Sequence, residues 1–158
     1  LPPIPTLLNT SVSNQRGQGS HGTLKGNDSH INTIKNVLIV EDNQINSNLI
    51  SLMVSKVIPH PSVIKQLHQS EKAVDDIMNH DYQLILLDLK MPHFSGFDIL
   101  TSLKNKGYLN NEKNNVKIII ITALLHHDIE DVLDQYTNIS ILYKPIKLQQ
   151  LKETIYHR

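Results

Sequence analysis

A doubly wound α/β fold built on a parallel sheet is predicted by three features of this 158-residue chain. From Lys35 onward, short aliphatic runs alternate with segments whose apolar residues recur at helical spacing. This alternation is typical of successive βαβ units. Each aliphatic run has the length of a single strand. The sequence has no internal repeat of the kind that solenoid proteins show. The sequence therefore predicts one layered domain.

Five strands are predicted from aliphatic runs that end in polar or turn-forming residues. The predicted strands cover residues 36–41, 62–67, 83–88, 116–121 and 139–143. Because a helical segment separates each run from the next, neighbouring strands should be parallel and joined by crossover helices. In the flavodoxin-like class of doubly wound folds, the expected strand order is 2-1-3-4-5.

Five helices are predicted after the strands, at residues 44–57, 70–79, 96–106, 127–136 and 147–156. In the first helix, Ile45, Leu49, Leu52 and Met53 fall on one face and are its expected apolar stripe. Pro59 prevents this helix from continuing. Shorter stripes support the second and third helices, and they consist of Ala73, Val74 and Ile77, and of Phe97, Leu100 and Leu103.

Residues 1–35 differ in composition from the rest of the chain. They are rich in Pro, Ser, Asn, Gly and Gln and contain few apolar anchors. Such a segment buries too little surface to offset its ordering entropy, so we expect a linker or disordered arm. The alternative is that Leu7-Leu8 or Ile31 docks on the domain. The expected domain organisation is an arm at 1–35 and a folded domain at 36–158.

The bulk composition excludes several functions. Fifteen basic and fifteen acidic residues give a net charge of zero, so nucleic-acid and membrane binding by this segment are not expected. No stretch approaches the ~20 apolar residues that span a bilayer. There is no cysteine, which fits a reducing compartment, and a cytoplasmic or also nuclear location is expected. The nine histidines show no zinc-like spacing and are interpreted as solvated loop residues.

Reactive side chains follow four of the predicted strands. Glu41 and Asp42 follow the first strand, Asp88 ends the third, Thr122 follows the fourth and Lys144 follows the fifth. The carboxyl ends of parallel strands share one edge of the sheet, where α/β proteins bind ligands. Clustered carboxylates there suit Mg²⁺, which prefers oxygen ligands and often bridges to phosphate. Aspartate forms phosphorylated intermediates, and a hydroxyl and an ammonium group can hold the phosphoryl oxygens.

Each of these residues also has a purely structural interpretation. Asp42 or Asn43 could cap the first helix, and an aspartate at a strand end is commonly a turn former. Their coincidence at the same edge of one sheet favours the functional interpretation, a metal-assisted phosphoryl acceptor centred on Asp88.

Residues 36–157 resemble a response-regulator receiver domain. Several motifs agree with that family in order and spacing: Val-Glu-Asp-Asn at 40–43, Asp88 followed by Met91-Pro92 and Gly96, Thr122-Ala123, and Lys144-Pro145. The resemblance implies that Asp88 accepts a phosphoryl group from a phosphohistidine. It also implies that Thr122 hydrogen-bonds that group, that Lys144 pairs with it, and that the Lys144–Pro145 peptide bond is cis.

The same resemblance implies a metal site and a set of partners. Glu41, Asp42 and Asp88 would hold Mg²⁺, with the backbone carbonyl of Lys90 as a further ligand. The Asn43-x-x-Asn46 pattern is similar to receivers of hybrid histidine kinases and fungal stress response regulators. Those receivers work in phosphorelays, so the expected donor is a histidine-containing phosphotransfer protein. The downstream effector is not named by the sequence.

One departure from the family concerns the last strand. Receivers often carry an aromatic residue three positions before the strand-five lysine, and here that position is Ile141. Tyr143 should share the face of Ile141, since side chains alternate along a strand. A ring-flip relay through residue 141 is impossible, and whether Tyr143 replaces it is open.

Three alternatives stay open. A haloacid-dehalogenase-like phosphatase also uses a strand-end aspartate and Mg²⁺, but it places a second acid two residues later, where this chain has Lys90. A non-phosphorylated receiver could serve only as a binding module. The chain could also be the receiver of a hybrid kinase. The favoured interpretation is a phosphoacceptor switch that is not an enzyme acting on other substrates.

Overall fold

The computed structural model describes residues 34–110, 114–124, 126–136 and 138–157. The predicted arm at 1–35 lies outside the described residues except for its last two positions. Of these two, Ile34 is half-buried against the core.

The described residues form five strands and five α-helices in strict alternation. The strands are β1 Asn36–Val40, β2 Val63–Leu67, β3 Leu84–Asp88, β4 Lys117–Thr122 and β5 Ile139–Tyr143. The helices are α1 Gln44–Val57, α2 Ala73–Asn79, α3 Gly96–Asn105, α4 His126–Leu133 and α5 Leu148–Tyr156. A single 3₁₀ turn, Ser70–Lys72, precedes α2 within the predicted second helix.

All neighbouring strands pair in parallel, in the order β2-β1-β3-β4-β5. The predicted α/β class and strand order are confirmed. The strand β3 that ends in Asp88 is central, between β1 and β4. Because the register places Asp88 opposite Ile121, Thr122 at the end of β4 lies one residue beyond Asp88 at the same edge of the sheet.

Both faces of the sheet are covered by helices. One face packs α2, α3 and α4 on alternate strand residues such as Leu38 and Ile85. The other packs α1 and α5 on the intervening residues such as Ile39 and Leu86. Strands covered on both faces need near-continuous aliphatic sequence, which explains the unbroken runs in the chain.

The predicted apolar stripe of α1 is wrong for three of its four members, whereas the fourth, Met53, is half-buried against the core. Its members Ile45, Leu49 and Leu52 are 79%, 57% and 54% exposed. The helix instead buries a neighbouring face, formed by Ser47, Ile50, Val54 and Val57. This face includes a small serine, whose hydroxyl donates to Gln66 Oε1 of β2 at 2.8 Å. The helix therefore leaves three large aliphatic side chains in solvent.

A polar network ties the edge strand β2 to α2. Asp76 of α2 accepts hydrogen bonds from Lys65 Nζ and from the Tyr82 hydroxyl, both at 2.7 Å. His80 Nδ1 lies 3.2 Å from the same carboxylate. Burial tends to raise the pKa of Asp76, but the bonds from Lys65 and Tyr82 outweigh it and hold the pKa below the ordinary 3.8.

Replacing Asp76 with alanine is expected to reduce the free energy of unfolding by about 2 kcal/mol, because the buried Tyr82 hydroxyl and Lys65 lose their acceptor. Since the folded pKa is depressed, this contribution is present at neutral pH and is lost as the pH falls below about 3.8. Urea denaturation at several pH values measures it. The exposed neighbour Asp75→Ala is the matched control, and equal effects of the two variants would contradict the assignment.

Candidate phosphoryl-acceptor site

The predicted site residues converge at the carboxyl edge of the sheet. Asp88 is the last residue of β3 and is 5% exposed, and Thr122 is the last residue of β4 and is fully buried. Glu41 follows β1 with 1% exposure. Lys144 follows β5, and its backbone N–H donates to the Thr122 carbonyl at 2.8 Å. The parallel sheet therefore brings together residues that are far apart in sequence.

Three acids form a compact cluster. Glu41, Asp42 and Asp88 each place one carboxylate oxygen so that the three atoms lie within 4.8 Å of one another. Although the Asp42 side chain is largely exposed, partial desolvation by its surroundings raises its pKa above the ordinary value, and the neighbouring Glu41 raises the pKa further. The cluster thus disfavours its own full ionisation, and a bound cation would relieve that cost. An all-oxygen donor set of this kind fits a hard divalent ion such as Mg²⁺.

Lys144 supplies a positive charge on the other side of the cluster. Its ammonium group lies 3.1 Å from Glu41 Oε1 and 3.6 Å from Asp88 Oδ2. The peptide bond between Lys144 and Pro145 is cis, as the resemblance implied. The lysine therefore contacts both the buried Glu41 and the candidate acceptor, and Glu41 has a counter-charge although it is buried.

In the loop after β1, Asn43 caps the next helix, whereas Asp42 belongs to the acid cluster. The side chain of Asn43 caps α1 by accepting from the backbone N–H of Asn46 at 2.9 Å. The Asn43 N–H donates to Glu41 Oε2 at 3.2 Å. Of the two caps that the sequence left open, Asn43 is the one used. The exposed Asp42 carboxylate is consequently available to the acid cluster.

The loop after Asp88 folds back tightly on the end of β3. The Lys90 N–H donates to Asp88 Oδ1 at 3.3 Å, and the Gly96 N–H donates to the Leu89 carbonyl at 3.0 Å. A Cβ on Gly96 would lie 2.4 Å from the Asp88 carbonyl oxygen, so only glycine fits. Ser95 and Asp98 form a capping box that starts α3 at this point. The loop is thereby held against the acceptor strand.

The end of β4 lies next to Asp88, because β3 and β4 pair in parallel. The Thr122 hydroxyl accepts from the Leu124 N–H at 3.0 Å, which closes the turn after β4. Ile141 and Tyr143 both pack against the core cluster that contains Ile129 and Leu133 of α4. Burial raises the pKa of Tyr143, and the charge of Glu130 raises it further. The expected shared face of Ile141 and Tyr143 is confirmed, since both side chains pack against this one cluster.

Sequence reasoning did not single out His68, which follows β2. Its Nδ1 lies 3.1 Å from the backbone oxygen of Glu41. No spacing signal could have indicated this contact, because it depends on the pairing of β2 with β1.

Comparison with known proteins agrees with the fold and with the arrangement of acids at the end of the sheet. The sequence profile described as "Response regulator receiver domain" matches residues 37–156. Stress response regulator protein 1 of the yeast Scheffersomyces stipitis is 32% identical over 95 residues, which are 60% of this chain and 31% of that protein. The matched region thus spans about a third of the yeast regulator's own length.

Solved structures agree. The signal receiver domain of a LuxO repressor protein from Vibrio parahaemolyticus is 30% identical with a TM-score of 0.63, over 77% of this chain and 86% of that one. The receiver domain of a sensor histidine kinase from Pseudomonas aeruginosa PAO1 is 26% identical with a TM-score of 0.60, over 77% and 93%. That structure has a magnesium ion coordinated in its active-site cleft. The fold, the strand-end site and the match over residues 37–156 show that this chain belongs to the response regulator receiver domain family.

Proposed function

We propose that the chain is a Mg²⁺-dependent phosphoryl acceptor that takes its phosphoryl group on Asp88 and switches a downstream output. One observation carries the proposal: the buried Asp88 carboxylate ends the central strand within the acid cluster and 3.6 Å from the Lys144 ammonium. A carboxylate in this position can act as a nucleophile. Lys144, together with a bound Mg²⁺, would stabilise the negative charge of the incoming phosphoryl group.

In the proposed reaction, a carboxylate oxygen of Asp88 attacks the phosphorus of a phosphohistidine. The new O–P bond forms as the N–P bond breaks, and the bonding electron pair returns to the imidazole of the donor. Mg²⁺, held by Glu41, Asp42, Asp88 and the carbonyl of Lys90, would neutralise charge on the phosphoryl oxygens. Lys144 pairs with one phosphoryl oxygen. The Thr122 hydroxyl only accepts in its bond from the Leu124 N–H, so its own proton can be donated to another phosphoryl oxygen.

The test is incubation with acetyl phosphate and MgCl₂, followed by intact-mass measurement. We expect a gain of one phosphoryl group, which chelation of the metal abolishes. Asp88→Asn should lose the gain and the exposed Asp75→Asn should keep it. A label that persists in Asp88→Asn would refute the acceptor assignment. Failure of the native chain to label would instead favour the binding-module alternative.

The proposed donor is a histidine-containing phosphotransfer protein, and α1 offers it a docking surface. The exposed stripe Ile45, Leu49 and Leu52 starts one turn from Asp42, beside the acceptor edge. Exposed Leu148 at the start of α5 follows the Lys144–Pro145 turn at the same edge. An apolar strip beside the nucleophile suits a partner that must present a phosphohistidine side chain to Asp88.

Replacing Leu49 with glutamate is expected to slow transfer from a phosphorylated yeast phosphotransfer protein by about tenfold or more, because a charge then interrupts the apolar contact. Labelling by acetyl phosphate should be unchanged, since this small donor needs no docking. Met78→Glu, an exposed apolar residue of α2, is the matched control. Equal transfer rates for Leu49→Glu and the native chain would contradict the proposal that the donor docks on α1.

The likeness to a yeast stress response regulator supports a role in fungal stress signalling, which in this proposal takes the form of a phosphorelay. The likeness to the receiver of a sensor histidine kinase supports the second candidate, the receiver of a hybrid kinase. A phosphatase is disfavoured because Lys90 occupies the position where that class needs its second acid. The proposed role is a switch that carries a phosphoryl group and does not turn over other phosphoesters.

A further inference from the structure

The acid loop, residues 41–43, is short, and its ends are fixed by the edge strand β2. The Glu41 N–H donates to the Leu67 carbonyl at 3.1 Å, which extends the β1–β2 ladder into the loop. At the helix end, the buried Ser47 donates to Gln66 Oε1 at 2.8 Å. Consecutive residues at the end of β2 thus bond to the chain on both sides of Asp42.

The next residue of this segment, His68, contacts the loop itself. Its Nδ1 lies 3.1 Å from the backbone oxygen of Glu41. A carbonyl oxygen can only accept, so Nδ1 carries the proton and donates. That carbonyl belongs to the peptide group between Glu41 and Asp42. Because a peptide group is planar, a bond to its oxygen fixes the orientation of the whole unit.

The direction of the Asp42 side chain depends on this peptide plane. The Asp42 carboxylate is exposed, whereas Glu41 and Asp88 are buried in the packed edge of the sheet. Asp42 is therefore the cluster member with the least packing to hold it, and its backbone must supply the positioning. A site that holds its ligand in place ahead of binding loses less affinity to ordering.

We infer that His68 is a positioning residue of the metal site, which holds the Glu41–Asp42 peptide group so that Asp42 points into the acid cluster. His68 does not itself bind the ion in this assignment. The inference rests on the proposed Mg²⁺ site and adds a residue outside the strand-end acids. It also gives the edge strand β2 a role in metal affinity.

Titration calorimetry with MgCl₂ on the native chain, His68→Leu and His68→Asn tests the inference. The asparagine amide reproduces an N–H near the position of Nδ1, whereas leucine keeps bulk and removes the donor. We expect His68→Leu to weaken Mg²⁺ binding about fivefold, the effect of one lost hydrogen bond, and His68→Asn to restore most of the affinity. His157→Leu, an exposed histidine beyond the end of α5, should bind as the native chain does.

Thermal unfolding without metal separates positioning from general destabilisation. Loss of one hydrogen bond at the exposed His68 should lower the melting temperature of metal-free His68→Leu by only about 4 °C relative to His157→Leu, so that both variants are fully folded in the titration. Native-like binding by His68→Leu, or equal weakening in His68→Asn and His68→Leu, would overturn the inference. Absence of Mg²⁺ binding by the native chain would instead refute the proposed metal site.

Discussion

Replacing Lys144 with methionine is expected to destabilise the metal-free protein and to strengthen its Mg²⁺ binding. The ammonium group lies 3.1 Å from Glu41 Oε1, and Glu41 is 1% exposed. Removing one partner of such a pair leaves a buried charge without compensation. Lys144 retains 26% exposure, so solvent screens part of the effect, and we expect a loss of about 2 kcal/mol.

The gain in metal affinity has the same origin. In the native chain, Lys144 already contacts Glu41 and Asp88, which are the acids that a cation in the proposed metal site would also contact, so part of their charge is already compensated. Without the lysine, the repulsion between the acids is no longer offset by a positive charge, and a divalent ion relieves a larger free-energy cost. The increase of melting temperature on adding MgCl₂ should therefore be larger in Lys144→Met than in the native protein.

The matched control is Lys152→Met, an exposed lysine on α5, which should leave both quantities unchanged. Glu41→Gln combined with Lys144→Met should recover stability in the absence of metal, because the unpaired charge is gone. If Lys144→Met binds Mg²⁺ more weakly than the native chain, the lysine supports the metal site and does not compete with it. Acetyl phosphate labelling of Lys144→Met should fall, since the phosphoryl group loses its counter-charge.

The second large effect is expected from Gly96→Ala. Its new Cβ would lie 2.4 Å from the Asp88 carbonyl oxygen and 2.7 Å from the Leu89 Cα. Both are backbone atoms at the end of the central strand, so relief requires displacement of the strand end or of the start of α3. We expect a loss of about 3 kcal/mol in unfolding free energy, and loss of acetyl phosphate labelling as Asp88 moves.

Gly107→Ala provides the control, because this glycine has a positive φ but has open space around it. It has a φ of 77° at the turn where α3 ends, and a Cβ added there would meet no atom within 4 Å. Alanine at this position should lower the free energy of unfolding by only about 1 kcal/mol and should leave labelling by acetyl phosphate unchanged. Chemical denaturation and mass spectrometry of both variants give the comparison. Normal labelling by Gly96→Ala would show that the acceptor does not depend on this close approach.

Much of the fold could be predicted because the strands are aliphatic and the helices have clear periods. The five strand positions differ from the observed ones by a residue or so at their ends. The buried face of α1 could not be predicted, because its sequence carries two overlapping apolar faces. Burying Ile50 and Val54 leaves Ile45 and Leu49 in solvent, and only the packing of the helix on the sheet decides between them.

The membership of the site could also be predicted, because residues at the ends of parallel strands share an edge. The contacts between these residues could not be predicted. The pairing of Lys144 with Glu41 joins residues 103 positions apart, and it depends on the strand order that places β1 and β5 on either side of the central pair. The capping by Asn43 and the bond from His68 depend on backbone geometry that residue types alone do not determine.

The long separation of Glu41 and Lys144 also bears on how the protein is made. During synthesis, the acids emerge long before the lysine that compensates them, and β5 is the last strand of the sheet to be made. A nascent chain that ends before residue 144 therefore carries the acceptor aspartate without its counter-charge. On the proposed function, the complete charge arrangement around Asp88 should therefore form only after β5 has paired with β4.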